Sequence, residues 1–342
     1  MATEMKLRFS AKERVLLVMT LLLAPIFLSE IYGVAVMRAR PGFVARYNEM
    51  PHFYDLFLAL AFSAVILVLR LVLTRAFQPL GRLILSPAKR SNPDRVERFA
   101  TVLFKFLYFL GITSAGYYVM KDENWLPPQL GGSGAMVNCF YTLDEPPTKA
   151  VKLYTLVQLG YHFQSLVYML LLTPIRNDFL EMMVHHIATI FLIGCSFLSN
   201  YWAPGALVAF VHDIGDVTGC KWCWEKLTIR AYYLVDGIKS IVDTGNTPLV
   251  VVMYLVLLVS WAYSRLYVFP DMIYHGVFIL PEVNPSVSMV FLHPMNTMLS
   301  MLQLLHVYWY GLFLVMGYTL LKTGKQEDIQ NRIHDKPNKK TA

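Results

Sequence analysis

The sequence predicts an all-α fold: a polytopic transmembrane helical bundle of about eight spans, with its core helices around an internal cavity. Three observations predict it. Hydrophobic residues fill 56% of the 342 positions and charged residues 15%, against roughly a quarter charged in a typical soluble domain. Apolar runs of about 20 residues recur down the chain, each long enough to cross about 30 Å of hydrocarbon at 1.5 Å per residue. Basic residues gather in every second segment between those runs, the asymmetry that orients membrane proteins.

The first run, 15–37, follows Lys6, Arg8, Lys12 and Arg14. A basic start and the apolar stretch Val15–Leu28 also fit a signal sequence, but no small-x-small site clearly follows, so the run is read as a span within an N-terminal segment 1–53. The remaining runs are 54–74, 101–119, 152–172, 181–199, 203–220, 247–269 and 294–321. They form one membrane domain, 54–321, followed by a polar tail, 322–342. With the N-terminus in the cytosol, 21 of the 30 Lys and Arg fall on the cytosolic side and 6 on the lumenal side. Three more, Arg70, Lys105 and Arg265, lie inside spans. The bias places both termini in the cytosol. It also accounts for the net charge of +7 without a nucleic-acid partner.

The stretches 75–100, 120–151, 221–246 and 270–293 are read as outside the membrane. Gly and Pro (Pro127, Pro128, Gly131, Gly132, Gly134, Pro146, Pro147) make 121–149 a loop. Four cysteines are too few and scattered for a disulfide framework, and Cys220-x-x-Cys223 lacks the second ligand pair that zinc requires.

Polar residues inside the spans carry the functional information, because an ionisable group at mid-span costs at least about 2.5–3.5 kcal/mol and must face protein or a wet cavity. On a helical wheel, His185, His186, Thr189, Ser196 and Asn200 share one face of the fifth span. His212, Asp213 and Asp216 share a face of the sixth. Tyr154, Gln158, Tyr161, His162 and Ser165 line one side of the fourth, and Asn296, Ser300, Gln303, His306 and Tyr310 one side of the eighth. The turn around Asn200–Pro204 makes spans five and six antiparallel neighbours. Counting from it at 1.5 Å per residue puts His186 and Asp216 at nearly the same depth, in the cytosolic half.

Histidines beside buried carboxylates suit acid–base or nucleophilic chemistry at neutral pH, with the carboxylate orienting the ring. The candidate catalytic set is His185, His186, His212, Asp213 and Asp216. Thr189, Ser196, Asn200, His162, Gln158 and Gln303 are the candidate substrate-binding residues. A base here can deprotonate an amine that attacks a thioester; alternatively, a neutral imidazole takes the acyl group first and passes it on. Adjacent helical residues diverge by about 100°, so His185 and His186 are expected to play different parts. A di-iron reading fails on spacing: the chain has one His-His pair and no H-x(2–3)-H. No metal and no cofactor are expected.

The stretch from Arg176 through His185, His186 and Thr189, then Ser196, Asn200, Gly205 and the His212-Asp213-x-x-Asp216 element, resembles the Lag motif of ceramide synthases within the TLC-domain superfamily. Arg95-Val96-Glu97-Arg98-Phe99 and Arg265-Leu266-Tyr267-Val268-Phe269-Pro270 are similar to that family too, and the resemblance covers roughly 54–321. The chain departs from the family at Ala203, where Arg is usual, and at Gly219-Cys220, where Leu-Glu is usual. It also lacks the homeobox-like insert of some animal members.

The resemblance implies N-acylation of a sphingoid base by acyl-CoA in the endoplasmic reticulum membrane, with membrane lipid around it and homo- or hetero-dimers as the assembly. It also implies that acyl-chain length is read near Tyr274–Pro294. Lys339-Lys340-Thr341-Ala342 fits a cytosolic dilysine signal for COPI-type retrieval. The competing class is a non-enzymatic TLC-like protein that senses or carries lipid or assists membrane insertion; such relatives tend to lack the full double-His and His-Asp-x-x-Asp set.

Overall fold

The computed structural model describes residues 11–85, 90–173, 179–217 and 247–323. Arg176, the Cys220–Cys223 pair and the Lys339–Lys340 ending lie outside them. Among the described residues eight helices reach fifteen residues or more: α1 (Ala11–Arg38), α2 (Asp55–Ala76), α3 (Pro93–Met120), α4 (Lys149–Leu171), α5 (Phe179–Leu198), α6 (Trp202–Val217), α7 (Thr247–Trp261) and α8 (Met289–Thr323). Four segments among the described residues are long and apolar enough on their own to cross a membrane: Asp55–Ile84, Pro93–Met120, Phe179–Leu198 and Met289–Thr319. The chain is an all-α membrane protein.

Side-chain distribution shows the same thing from outside. On α2, Phe57, Val68 and Val72 are more than half exposed while Asp55 and Arg70 are buried, the reverse of a helix on a water-soluble protein. Arg70 lies flat against the Tyr168 ring of α4, 3.4 Å from its centroid. Helix starts follow local chemistry. Asn92 accepts from the Asp94 amide ahead of α3, with Pro93 at its first position. Thr148 caps α4 by accepting from the Val151 amide. Between α5 and α6, Asn200 adopts a left-handed φ of 61°, a conformation that Asn tolerates better than most residues. That turn makes α5 and α6 antiparallel, as the sequence implies.

One expectation is corrected. The stretch 121–149 is not simple loop. It contains helical turns at Pro128–Leu130 and Met136–Asp144 and inserts Trp125, Leu126, Phe140 and Leu143 into the core. The stretch 270–293, read as outside the membrane, is mostly helical. α7 runs on through a π-helical segment (Ala262–Val268), an α turn (Phe269–Tyr274), a second π-helical segment (His275–Ile279) and Leu280–Val283. Pro270 and Pro281 each open an α turn just after a π segment, where a missing amide N–H is tolerated. Only 284–288 separates this run from α8.

The segment 121–148 closes one end of the bundle. Its carbonyls at Leu143 and Glu145 accept from the Asn200 side chain, Glu145 also from Trp202, and Phe140 from Asn284. Arg38 at the end of α1 donates to the Pro51 and Leu198 carbonyls and lies over the rings of Phe43 and Phe53. Lys152 pairs with Asp55 at 2.8 Å, tying α4 to α2.

Helix α2 meets α4 at Gly160, where a Cβ would sit 2.8 Å from the Ala59 carbonyl oxygen and 2.9 Å from the Phe62 Cβ. In lipid, such small-residue contacts hold helices together because no hydrophobic force does. Gly160→Leu is therefore expected to destabilise the protein by about 1–3 kcal/mol, lowering its thermal midpoint in detergent micelles. Gly311→Ala, which meets nothing within 4 Å, should leave the midpoint unchanged or slightly raised. Equal midpoints for the two variants would mean that α2 and α4 do not pack as described.

Candidate functional site

Five histidines from four helices converge: His162 on α4, His185 and His186 on α5, His212 on α6 and His306 on α8. Ring centroids lie 5.6 Å apart for His185 and His186, 6.3 Å for His162 and His186, and 5.1 Å for His212 and His306. The two adjacent histidines point apart, as their helical divergence requires. His185 meets the edge of Trp309 on α8, 5.5 Å between centroids, whereas His186 faces His162 on α4. Among the described residues no group of three His, Cys, Asp or Glu has a metal-holding arrangement.

The carboxylates do not orient these rings. Asp213, 2% exposed, accepts from the Tyr154 hydroxyl at 2.8 Å and from the Gln158 amide, both on α4. Asp216 accepts from the Arg265 guanidinium at 2.8 Å. The ring of His212 is held instead by its own helix, its Nδ1 lying 2.7 Å from the Val208 carbonyl oxygen. A carbonyl only accepts, so Nδ1 carries the proton, and the neutral ring keeps its lone pair on Nε2. That Nε2 is buried and bonded to no protein group. Position on a wheel gives direction and not reach: Asp213 shares a face with His212, yet α4 presents a phenol and an amide within its range.

Arg265 organises the other side. It lies in the first π-helical segment, whose i→i+5 bonding often marks a functional place. One amino group donates to Asp216 and to the His212 carbonyl at 2.9 Å, and the other approaches Nε2 of His306 at 3.4 Å. A guanidinium only donates, so His306 accepts at Nε2 and carries its proton on Nδ1. That Nδ1 has no protein partner. The cluster thus offers an unpartnered acceptor at His212 and an unpartnered donor at His306. Sequence reasoning noted Arg265 as a charge inside a span and gave His306 little weight; spacing alone could not show that they meet.

The candidate substrate residues divide. His162 joins the ring cluster. Gln158 has its amide bonded to Asp213 and Tyr154, and its carbonyl oxygen is unpartnered. Gln303 also has an unpartnered carbonyl oxygen. Thr189 bonds back to the His185 carbonyl. Ser196 and Asn200 are not brought to the histidines. Ser196 donates to the Ile193 carbonyl and packs against Gly205, and Asn200 holds the end-closing segment about 20 Å along the helix from His185. Ser300 faces outward on α8.

Beside the cluster, on the side of the closed end, is a small apolar cavity of about 50 Å³. Leu192, Leu207, Val208, Met272, Met295 and Leu299 are among its walls, and Met136, Cys139 and Phe140 close it from the segment 121–148. Val208 therefore touches both this cavity and His212.

Comparison with known proteins agrees over the same helices. The TLC domain family matches residues 98–315, from α3 into α8. Ceramide synthase 3 of Mus musculus is 30% identical over 253 residues, 71% of this chain and 57% of that protein. Ceramide synthase LOH2 of Arabidopsis thaliana is 29% identical over 304 residues, 84% of this chain and 93% of its own length. Ceramide synthase hyl-1 of Caenorhabditis elegans is 25% identical over 259 residues, 70% of this chain and 62% of that protein. The chain spans a little over half the length of the mammalian relatives it matches.

Breaking one partner of a buried ion pair costs about 3–5 kcal/mol, because the other charge is left alone, whereas replacing both can be nearly neutral. Arg265→Met is therefore expected to lower the thermal midpoint strongly. Asp216→Asn added to Arg265→Met should recover a large part of that loss. Midpoints that fall additively in the double variant would show that the pair is not coupled.

Proposed function

The chain belongs to the TLC-domain family, and on that footing we propose that it transfers the acyl group of an acyl-CoA to the amine of a sphingoid base, forming a (dihydro)ceramide. The observation that carries this reading is the set of five converging histidines, with the bare Nε2 of His212, beside an apolar cavity. The kinship with ceramide synthases of animals, a plant and a worm supports the same substrate pair.

In the proposed reaction the thioester carbonyl lies at the histidines and its chain in the apolar cavity. A neutral imidazole accepts the proton of the substrate ammonium. The amine nitrogen then bonds to the carbonyl carbon and the C–S bond breaks. The thiolate takes the proton held by the imidazole and leaves as CoA thiol, and the surplus proton on the new amide nitrogen passes to the freed imidazole. The second route puts an imidazole nitrogen on the carbonyl carbon first, releases CoA, and returns the imidazole when the amine attacks. His185, His186 and His212 are the proposed chemical residues. Asp213 and Asp216 act through Tyr154, Gln158 and Arg265 by fixing the helices that carry those rings. His162, Gln158, Gln303 and Thr189 line the substrate path. No cofactor is needed beyond the acyl-CoA co-substrate.

We place the eight helices across the endoplasmic reticulum membrane, with both termini cytosolic and the segment 121–148 lumenal. The domain is 54–321, and the Lys339–Lys340 ending serves COPI-type retrieval. α6 and α7 are described over 16 and 15 residues, fewer than the roughly 20 of a full span.

Membranes containing the protein, given sphinganine and acyl-CoA, should form N-acyl product; no product would leave the lipid-sensing alternative. His185→Ala and His186→Ala should each lose about 100-fold or more of turnover, the scale of general acid–base catalysis. Only one of them should fail in the acyl-transfer step itself. Single-turnover assays with labelled acyl-CoA, including a search for an acid-labile acyl–protein adduct, separate the two. If both variants keep near-normal turnover, the histidines serve only to bind helices together.

A further inference from the structure

The membrane-facing side of α8 carries a feature that the reaction above leaves unused. His293, Thr297 and Ser300 are exposed, at positions i, i+4 and i+7 on a single line. Farther along that side the surface turns apolar, with Leu304 71% and Val307 53% exposed. The polar line is one wall of an outer groove of about 370 Å³, whose other wall includes Val277 and Pro281 of the α7 continuation. Asn296 borders this groove and also the inner apolar cavity. It is the partition between them.

The partition is thin and locally weak. Opposite Asn296 stands Gly276, which has no side chain to add to the wall, in the second π-helical segment. The Asn296 amide donates to the Gly276 carbonyl at 3.4 Å, near the limit for a useful bond. π-helical turns concentrate where a helix must adjust for function. Three polar side chains facing lipid, near one end of a helix and above an apolar stretch, match an amphipathic single-chain molecule. Its hydroxyls and amine would meet His293, Thr297 and Ser300, while its chain runs along Leu304 and Val307.

We propose that this groove is the port through which a long-chain amino alcohol passes from the bilayer into the bundle, with Gly276 and Asn296 as its gate. The proposal rests on the N-acyltransferase reading for the identity of its occupant. Acyl-CoA, whose nucleotide cannot cross lipid, reaches the histidines by another path. The two substrates therefore approach separately.

The test uses the full chain in lipid vesicles, with Gly276→Cys and Asn296→Cys introduced together, and each single Cys variant carried through the same oxidation as a control for other thiols. Oxidation to the disulfide should lower turnover of a long-chain amino alcohol supplied in the vesicles by at least tenfold. A short-chain, water-soluble amino alcohol should still be acylated, and reduction should restore the long-chain reaction. Equal turnover of the long-chain substrate in both redox states overturns the port, and so does parallel loss of both amines.

A second measurement is independent of catalysis. A long-chain amino alcohol carrying a diazirine is crosslinked in wild-type protein, and adducts are expected between Met289 and Ser300. In the disulfide form, adducts in the inner cavity should disappear while those in the groove remain. Absence of groove adducts overturns the port even if the protein is an N-acyltransferase. Groove adducts in a protein that acylates neither amine overturn the acyltransferase reading instead, and support a lipid port.

Discussion

A guanidinium inside an apolar bundle must satisfy its donors from nearby side chains and carbonyls, since water is not at hand to do so. Arg265 meets that constraint by bonding to three elements of the cluster at once: the Asp216 carboxylate, the His212 carbonyl and the His306 ring. Trp261 lies beneath it, 5.4 Å from the guanidinium carbon to the ring centroid, and its indole N–H in turn donates to the His306 carbonyl. α6, α8 and the run following α7 are thereby fixed in rotation relative to one another.

A second polar centre does the same for α4 and α6. Asp213, Tyr154 and Gln158 form a closed group, and Gly116 of α3 lies against the Tyr154 ring. Hydrogen bonds across membrane helices are modest individually, on the order of 0.6 kcal/mol. Their value here is directional: apolar packing lets a helix rotate by a few degrees at little cost, whereas a buried carboxylate with two named donors does not. The carboxylates of the His-Asp-x-x-Asp element thus hold backbone in place, and a backbone carbonyl holds the histidine.

Much of this was legible before any coordinates. Helix identity followed from apolar run length, and the convergence of α4, α5, α6 and α8 followed from one polar face on each. The antiparallel pairing of α5 and α6 followed from the Asn200 turn. What the sequence hid has physical causes. Wheels locate a side chain within a broad sector, so Ser300 was placed inward with Gln303, although a small rotation turns it to lipid. They also carry no information on partners, which is why Asp213 was assigned to a histidine and not to Tyr154. Glycine and proline density in 121–149 described the backbone correctly as irregular, but said nothing of Trp125 and Phe140 anchoring it in the core.

Those π turns have a consequence for how this part of the chain can change over time. Each holds a residue more than the α turn it replaces, so it acts as a store of slack in the numbering. Loss of one residue between Ala262 and Val268 would convert the widened turn to an ordinary one and leave the helix unbroken. Because the widened turn spreads five residues over about the rotation that an α turn gives to four, later side chains, Met272 and Gly276 included, would keep nearly the same facing. The same deletion in regular α-helix would turn them by about 100°. Length changes among related chains can thus collect at these turns while the residues presented to the cavity stay in place.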